Sequence, residues 1–241
     1  MMTNKKTNNN LIEKMGSNIK LKKMGMDFIK NTSEYRYSYN FSWLGMKIIQ
    51  FPQDMIAVQE IIWKIKPDLI IETGIAHGGS LVYYASILEM IGKGQVVGID
   101  VDIRKHNLKK IQSHVLKKRI RLIQGSSIDE EILRKVDEYA VGKEKIMVLL
   151  DSDHSHKHVL KELQLYSRFV TKGSYIIVFD TAIQDMPNNF FPDRPWNKKD
   201  NPKTAVYEFL RNNKKFEIDK KIENKLLITV SPDGYLKCIR D

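Results

Sequence analysis

Short apolar runs alternate with stretches of helical period through most of this chain. The clearest unit opens at Pro67 with Leu69-Ile70-Ile71, breaks at Gly74, Gly78 and Gly79, and resumes as the apolar-periodic segment 81–88. That pattern predicts a buried strand, a glycine turn and a helix. Further strands are expected at 94–100, 119–124, 145–151 and 174–180, with helices at 103–116, 128–140 and 158–169 between them. Continuous apolar strands separated by helices imply a mostly parallel sheet covered on both faces. Upstream, segment 53–65 has helical period and stops before Pro67, where a helix is disfavoured. Segment 1–30, with Leu11, Ile12, Met15, Ile19 and Leu21, suggests a loose amphipathic helix, and 34–45 is dense in aromatics. Downstream, 185–201 is a Pro/Asn/Asp-rich loop with Phe190, Phe191 and Trp196, long enough to read as a lid. A helix at 204–212 follows. Apolar segments then occur at 216–218, 226–230 and 235–239, and the Pro232-Asp233-Gly234 turn between the last two reads as a hairpin.

Composition narrows this picture. At 241 residues with 42% apolar content, one α/β domain with an N-terminal extension is the simplest account, divided as 1–50 and 51–241. The extension is expected to serve as a lid or an oligomer contact. No run approaches the roughly 20 apolar residues that span a bilayer. The first residues, Met1 to Lys6, lack the apolar stretch of a signal peptide, so the cytoplasm is expected. The single cysteine, Cys238, excludes a disulfide framework and a cysteine-based metal cage. The net charge of +11 is compatible with an anionic substrate. The lysines are scattered (Lys109, Lys110, Lys214 and Lys215 among them), without a basic stripe, and nucleic acid is not expected as a partner.

Polar chemistry gathers at the expected strand ends, where open parallel sheets hold their ligands. The first end carries Glu72, Thr73 and Gly74, followed by His77, Gly78 and Ser80, whose helix start offers unpaired N–H groups. Asp100 ends the second strand, placed to accept the ribose hydroxyls of an adenosyl group, with Asp102 as neighbour. Ser126, Ser127 and Asp129 follow the third, either to contact adenine or to cap a helix. Asp151 and Asp180 end the fourth and fifth and could share a hard cation such as Mg2+. His154 is a candidate general base. Its spacing to His158 also permits zinc, a weaker reading without an intervening glutamate. Tyr39, Trp43, Arg194 and Trp196 are candidates for the substrate side.

The spacing Glu72-x-Gly74-x-x-x-Gly78 differs from the dinucleotide fingerprint and resembles the first motif of S-adenosylmethionine (SAM) methyltransferases. Taken with Tyr37 to Gly45, Pro52-Gln53-Asp54, Gly98-Ile99-Asp100, Gly125-Ser126-Ser127, Leu150-Asp151 with His154, Phe179-Asp180-Thr181, Phe191 to Trp196 and Asn201 to Ala205, the chain resembles the cephalosporin hydroxylase / rhamnosyl O-methyltransferase family from about residue 35 onward. The resemblance implies a Rossmann-like class I SAM-dependent methyltransferase fold, with a seven-stranded, mostly parallel sheet and a C-terminal antiparallel hairpin. It also implies a divalent metal bound by an Asp after the fourth strand, matched by Asp151, and by an acidic pair after the fifth. Asp180 matches the second acid of that pair, but Phe179 stands in place of the first. The activity implied is O-methylation of a sugar hydroxyl in a glycan, lipopolysaccharide, capsule or nucleotide-sugar precursor; the aromatic amino-terminal extension separately suggests a homo-oligomer. A small-molecule hydroxylase would need an iron site, and no 2-His-1-carboxylate pattern is evident. An NAD-dependent sugar-modifying enzyme and a non-catalytic basic binding module are the rival readings.

Overall fold

The amino-terminal segment folds as two helices, α1 (Met2–Ser17) and α2 (Ile19–Thr32). They divide at Asn18, whose side chain accepts a hydrogen bond from Leu21 N and so starts a new helix. The aromatic stretch forms a 3-10 turn (Tyr37–Asn40) and a small antiparallel pair, β1 (Phe41–Trp43) and β2 (Met46–Ile48). The structure, a computed structural model, describes residues 2–240. Met1 and Asp241, the outer limits of the two expected regions, lie outside the described residues.

Beyond α3 (Pro52–Ile65) the apolar runs become strands as expected: β3 (Leu69–Thr73), β4 (Gln95–Asp100), β5 (Ile120–Gln124), β6 (Ile146–Leu150) and β7 (Tyr175–Val178). Between them lie α4 (Gly79–Ile91), α5 (Lys105–Ser113), α6 (Glu130–Ala140) and α7 (His156–Tyr166). The carboxyl-terminal part contributes α8 (Pro202–Asn212), β8 (Phe216–Ile218), α9 (Lys220–Leu226) and β9 (Tyr235–Cys238). Strand order is β5-β4-β3-β6-β7-β9-β8; β9 runs antiparallel to both neighbours, and the five strands from β5 to β7 are parallel.

One expectation needs correcting. Segment 226–230 is not a strand: α9 ends at Leu226, and β9 pairs with β8 instead. The Pro-Asp-Gly turn is present, with Gly234 N donating to Ser231 O, but it feeds β9 from a loop. The apolar run at 226–230 packs beneath the lid rather than into the sheet, since Ile228 and Val230 contact a cluster built on Ile29, Phe51, Ala182 and Met186.

Alternation within the strands sorts side chains onto two cores. Ile70, Val96, Met147 and Ile177 pack with α3 and α4, while Leu69, Ile71, Val97 and Val148 pack with α6, α7 and α8. The sheet is therefore covered on both faces, and its polar ends open on one rim. No helix of the described residues is long and apolar enough to cross a membrane.

Candidate active site

The β3–α4 loop is shaped by close backbone approach. Gly74 has φ +79, and a Cβ there would stand 2.1 Å from the Asp151 carbonyl oxygen, so the ends of β3 and β6 can meet only through a residue without one. Gly78 caps α4 without a side-chain hydrogen bond. The first N–H groups of α4 lack helical acceptors and face a cavity of about 430 Å³, lined there by Gly79 and Ser80.

Glu72 and Asp100 brace this loop from two sides. Glu72 is fully buried and accepts from Ser80 Oγ at 2.7 Å and Tyr84 OH at 2.9 Å, so its carboxyl faces α4 rather than the cavity. Burial raises its pKa to about 8 against the lowering by those two hydroxyls, and Asp100 adds to the rise. Asp100 Oδ2 accepts from Ile75 N at 2.9 Å and Ala76 N at 3.3 Å, and Oδ1 from Asp102 N at 3.0 Å. Oδ2 thus has both its lone pairs engaged, while Oδ1 keeps one for a ligand hydroxyl. Ala76, at φ +44, is held in this left-handed turn by Asp100 and by Asn107, which donates to Ala76 O. Asn107 has no signal in the sequence, because only the folded loop reveals its target.

Across the cavity the β6 and β7 ends bring three side chains together. One ligand atom from each of Asp151, His154 and Asp180 lies within 4.8 Å of the others, and His154 Nε2 is 3.0 Å from Asp180 Oδ2. Asp180 has φ +55, a left-handed turn that Asp tolerates and that many functional sites use. Burial pushes the Asp151 carboxyl well above the ordinary carboxylate range. Asp180, Glu72, Glu162 and Asp54 push it the same way. This concentration of negative charge around two carboxylates and an imidazole fits a divalent cation.

The remaining expected residues separate. His77, Tyr39, Arg194 and Trp196 line the cavity. Trp196 meets His154 edge-on at 5.1 Å, and the Arg194 guanidinium lies over the Trp196 ring at 5.1 Å. Burial and the nearby Lys47 and Arg104 charges hold His77 below the usual histidine range. Trp43 lies outside the lining: its Nε1 donates to Ser86 Oγ, and its ring packs edge-on to Tyr83 against α4. Thr73 is buried with Oγ1 unpartnered. Asp102 is exposed beside Arg104, and Asp129 sits before α6 without a side-chain cap bond. Ser126 O accepts from Asp129 N. Ser127 is buried, and its Oγ donates to Glu162 Oε1 at 2.6 Å.

Glu162 is a residue that sequence reasoning missed. It is fully buried, also accepts from Ser152 Oγ at 2.8 Å, and lies 3.4 Å from His158, so it ties the loops after β5 and β6 to α7. Its only signal in the sequence is the four-residue spacing to His158. Sequence reasoning gives His156 no role either; its ring meets Thr204 Oγ1 at 2.7 Å and Glu208 at 3.1 Å, joining α7 to α8 behind the lid.

Comparison with known proteins bears on this arrangement. A family model described as Rhamnosyl O-methyltransferase/CmcI matches residues 35–239. The Rhamnosyl O-methyltransferase of Mycobacterium leprae (strain TN) is 33% identical over 151 residues, 61% of this chain and 62% of that protein. The Rhamnosyl O-methyltransferase of Mycobacterium bovis (strain BCG / Pasteur 1173P2) is 31% identical over 203 residues, 81% of this chain and 77% of that protein. The match to the M. leprae protein thus spans less than two thirds of its length. Among solved structures, the apo structure of CmcI superimposes with a TM-score of 0.59 at 18% identity, covering 84% of this chain and 78% of that one. The Mg-SAM structure of CmcI gives 0.57 at 19% identity over the same shares. At such identities the likeness carries the fold alone.

Proposed function

The chain belongs to the rhamnosyl O-methyltransferase/CmcI family, and on that premise we propose that its strand-end cavity carries SAM-dependent O-methylation of a sugar hydroxyl. The observation that carries this reading is the convergence of Asp151, His154 and Asp180 opposite the glycine loop, in one cavity. Bound there, SAM would supply a methyl carbon made electrophilic by its sulfonium, which the acceptor oxygen would take with release of the sulfur as a neutral thioether.

The chain then has two tasks, alignment and removal of the acceptor's proton. Alignment falls to the β3–α4 loop with the α4 N-terminus on the donor side, and to Tyr39, Arg194 and Trp196 on the acceptor side. Positioning of this kind is worth on the order of 7–11 kcal/mol in well-oriented systems. His154 takes the proton, and Asp180 at 3.0 Å stabilises the imidazolium that results. Were a divalent ion held by Asp151 and Asp180 instead, it would lower the pKa of the hydroxyl at the same point. Asp100 is assigned to the ribose, and the segment from Ser126 to Asp129 to the adenine side, where Glu162 fixes Ser127 in place. The site of action is assigned to the cytoplasm, on a sugar of a glycan or nucleotide-sugar precursor. Exposed Tyr35 and Leu44 of the amino-terminal region are assigned to a contact between copies of the chain.

Thermal shift and calorimetry with SAM, S-adenosylhomocysteine and NAD test the donor, and transfer of labelled methyl to nucleotide-linked deoxysugars tests the acceptor. Stabilisation by SAM and its product is expected. A response to NAD alone, or to no ligand, would overturn the reading.

A further inference from the structure

The three donors at the cavity wall are not a set that Mg2+ favours. Mg2+ is hard, wants oxygen ligands and keeps several waters, whereas imidazole suits first-row transition ions. The first acid of the expected pair is replaced by Phe179, whose side chain is buried at 2% exposure in the core on the α4 side. The third donor within reach of Asp151 and Asp180 is the His154 imidazole. We propose that Asp151, His154 and Asp180 form a mixed nitrogen-and-oxygen site for a first-row transition dication such as Mn2+ or Co2+, with His154 as a ligand.

Geometry supports this. Two donors each about 2.1 Å from one ion, at right angles to each other, stand about 3 Å apart. His154 Nε2 and Asp180 Oδ2 are separated by 3.0 Å. Charge points the same way: the groups acting most strongly on Asp151 are the acids Asp180, Glu72, Glu162 and Asp54, with no lysine or arginine among them. A dication there offsets a concentration of negative charge that the protein itself leaves unbalanced. Trp196, edge-on at 5.1 Å, shields the imidazole from bulk water and so from exchange of the ligand for solvent. The inference rests on the methyl-transfer reading only for the use made of the ion; in the loaded enzyme His154 is a ligand, and it serves as the base when no ion is bound.

The test uses the full chain stripped with EDTA and titrated with Mn2+, followed by electron paramagnetic resonance. One Mn2+ should bind with nitrogen hyperfine coupling in pulsed spectra, and Mg2+ should compete only at about a hundredfold excess or more. His154→Ala should lose the coupling or the binding. His154→Asp, which restores an all-oxygen set, should let Mg2+ compete within about tenfold. Absence of nitrogen coupling in the unaltered protein, coupling that persists in His154→Ala, or Mg2+ competing at near-equal concentration would overturn the proposal. The melting response to SAM on the same preparations separates the two readings. A SAM response without coupling sinks the metal assignment alone, and coupling without a SAM response sinks methyl transfer alone.

Discussion

Glu72 sits at the end of β3 with no exposed surface, and two hydroxyls are its hydrogen-bond partners. Burial wins over those bonds and raises its pKa to about 8, from an ordinary 4.5. The sign of the consequence follows from proton counting. The native state holds a proton that the unfolded chain releases above about 4.5, so this residue's contribution is full below that pH and is lost as pH rises through 8. Glu72→Gln should flatten the fall in urea-unfolding free energy between pH 6 and 9, where one retained proton gives a slope of up to about 1.4 kcal/mol per pH step of one. It should also leave the substituted chain the more stable of the two at pH 9. A parallel slope in both proteins would show that Glu72 is charged in the fold. The sequence marks Glu72 and Asp100 by their spacing around glycines and strand ends. The direction each carboxylate takes depends on partners not written nearby: Tyr84 turns Glu72 inward, and the Ile75 and Ala76 N–H groups draw Asp100 onto the loop.

At the scale of elements, the loop from 185 to 201, the expected lid, is held by its last residue. Asn201 is fully buried, and its Oδ1 accepts from the N–H groups of Lys203 and Thr204, capping α8. Its Nδ2 donates to Gln184 Oε1, Asn197 O and Lys198 O within the lid. Lys203, also buried, bonds Asp185 at the other end of the segment. One turn thus fixes both a helix start and the loop that carries Arg194 and Trp196. Asn201→Ala removes the cap, worth about 1 kcal/mol, and the hydrogen bonds to Gln184, Asn197 and Lys198, worth about 0.5–1.5 kcal/mol each. The melting temperature should fall by several degrees, at about 2–4 °C per kcal/mol for this chain length. The acceptor KM should rise while SAM affinity stays unchanged; equal losses on both sides would mean that the lid does not act separately. Elements whose signal is local were legible from pattern: β3 to β7 are continuous apolar runs and need no distant partner to be recognised. The run at 226–230 looks the same in sequence, yet folds as a helix end and loop, because its apolar side chains are taken up by Ile29 and Phe51 from far upstream.

The whole molecule is tied together by Asp54, at the start of α3. This buried carboxylate accepts from Val230 N at 2.9 Å, from Tyr235 OH at 2.6 Å and, by a short bond, from Thr229 Oγ1. It therefore joins the last helix before the sheet to its antiparallel strand β9 by way of Val230. Burial raises its pKa to about 6 in spite of these three bonds. The native state again holds the extra proton, so stability from this group is full below about 3.8, falls as pH rises through 6, and has largely gone by neutrality. The windows of the two acids overlap between about 4.5 and 6, so Asp54→Asn should flatten the slope only below about pH 6, whereas Glu72→Gln also removes the slope from 6 to 8. Asp54→Ala is the harsher test. It leaves three buried donors without an acceptor, at about 1–3 kcal/mol each, and urea unfolding should show a loss of at least about 3 kcal/mol. If the clamp makes one cooperative unit, tryptophan fluorescence and far-ultraviolet dichroism should still report a single coincident transition in the unaltered chain. In Asp54→Ala the segment from Asp219 to Gly234 should become the first site of limited proteolysis, since its tie to α3 is gone. Unaltered cleavage there, with a loss below about 1 kcal/mol, would mean that the strand order alone holds the carboxyl-terminal part in place.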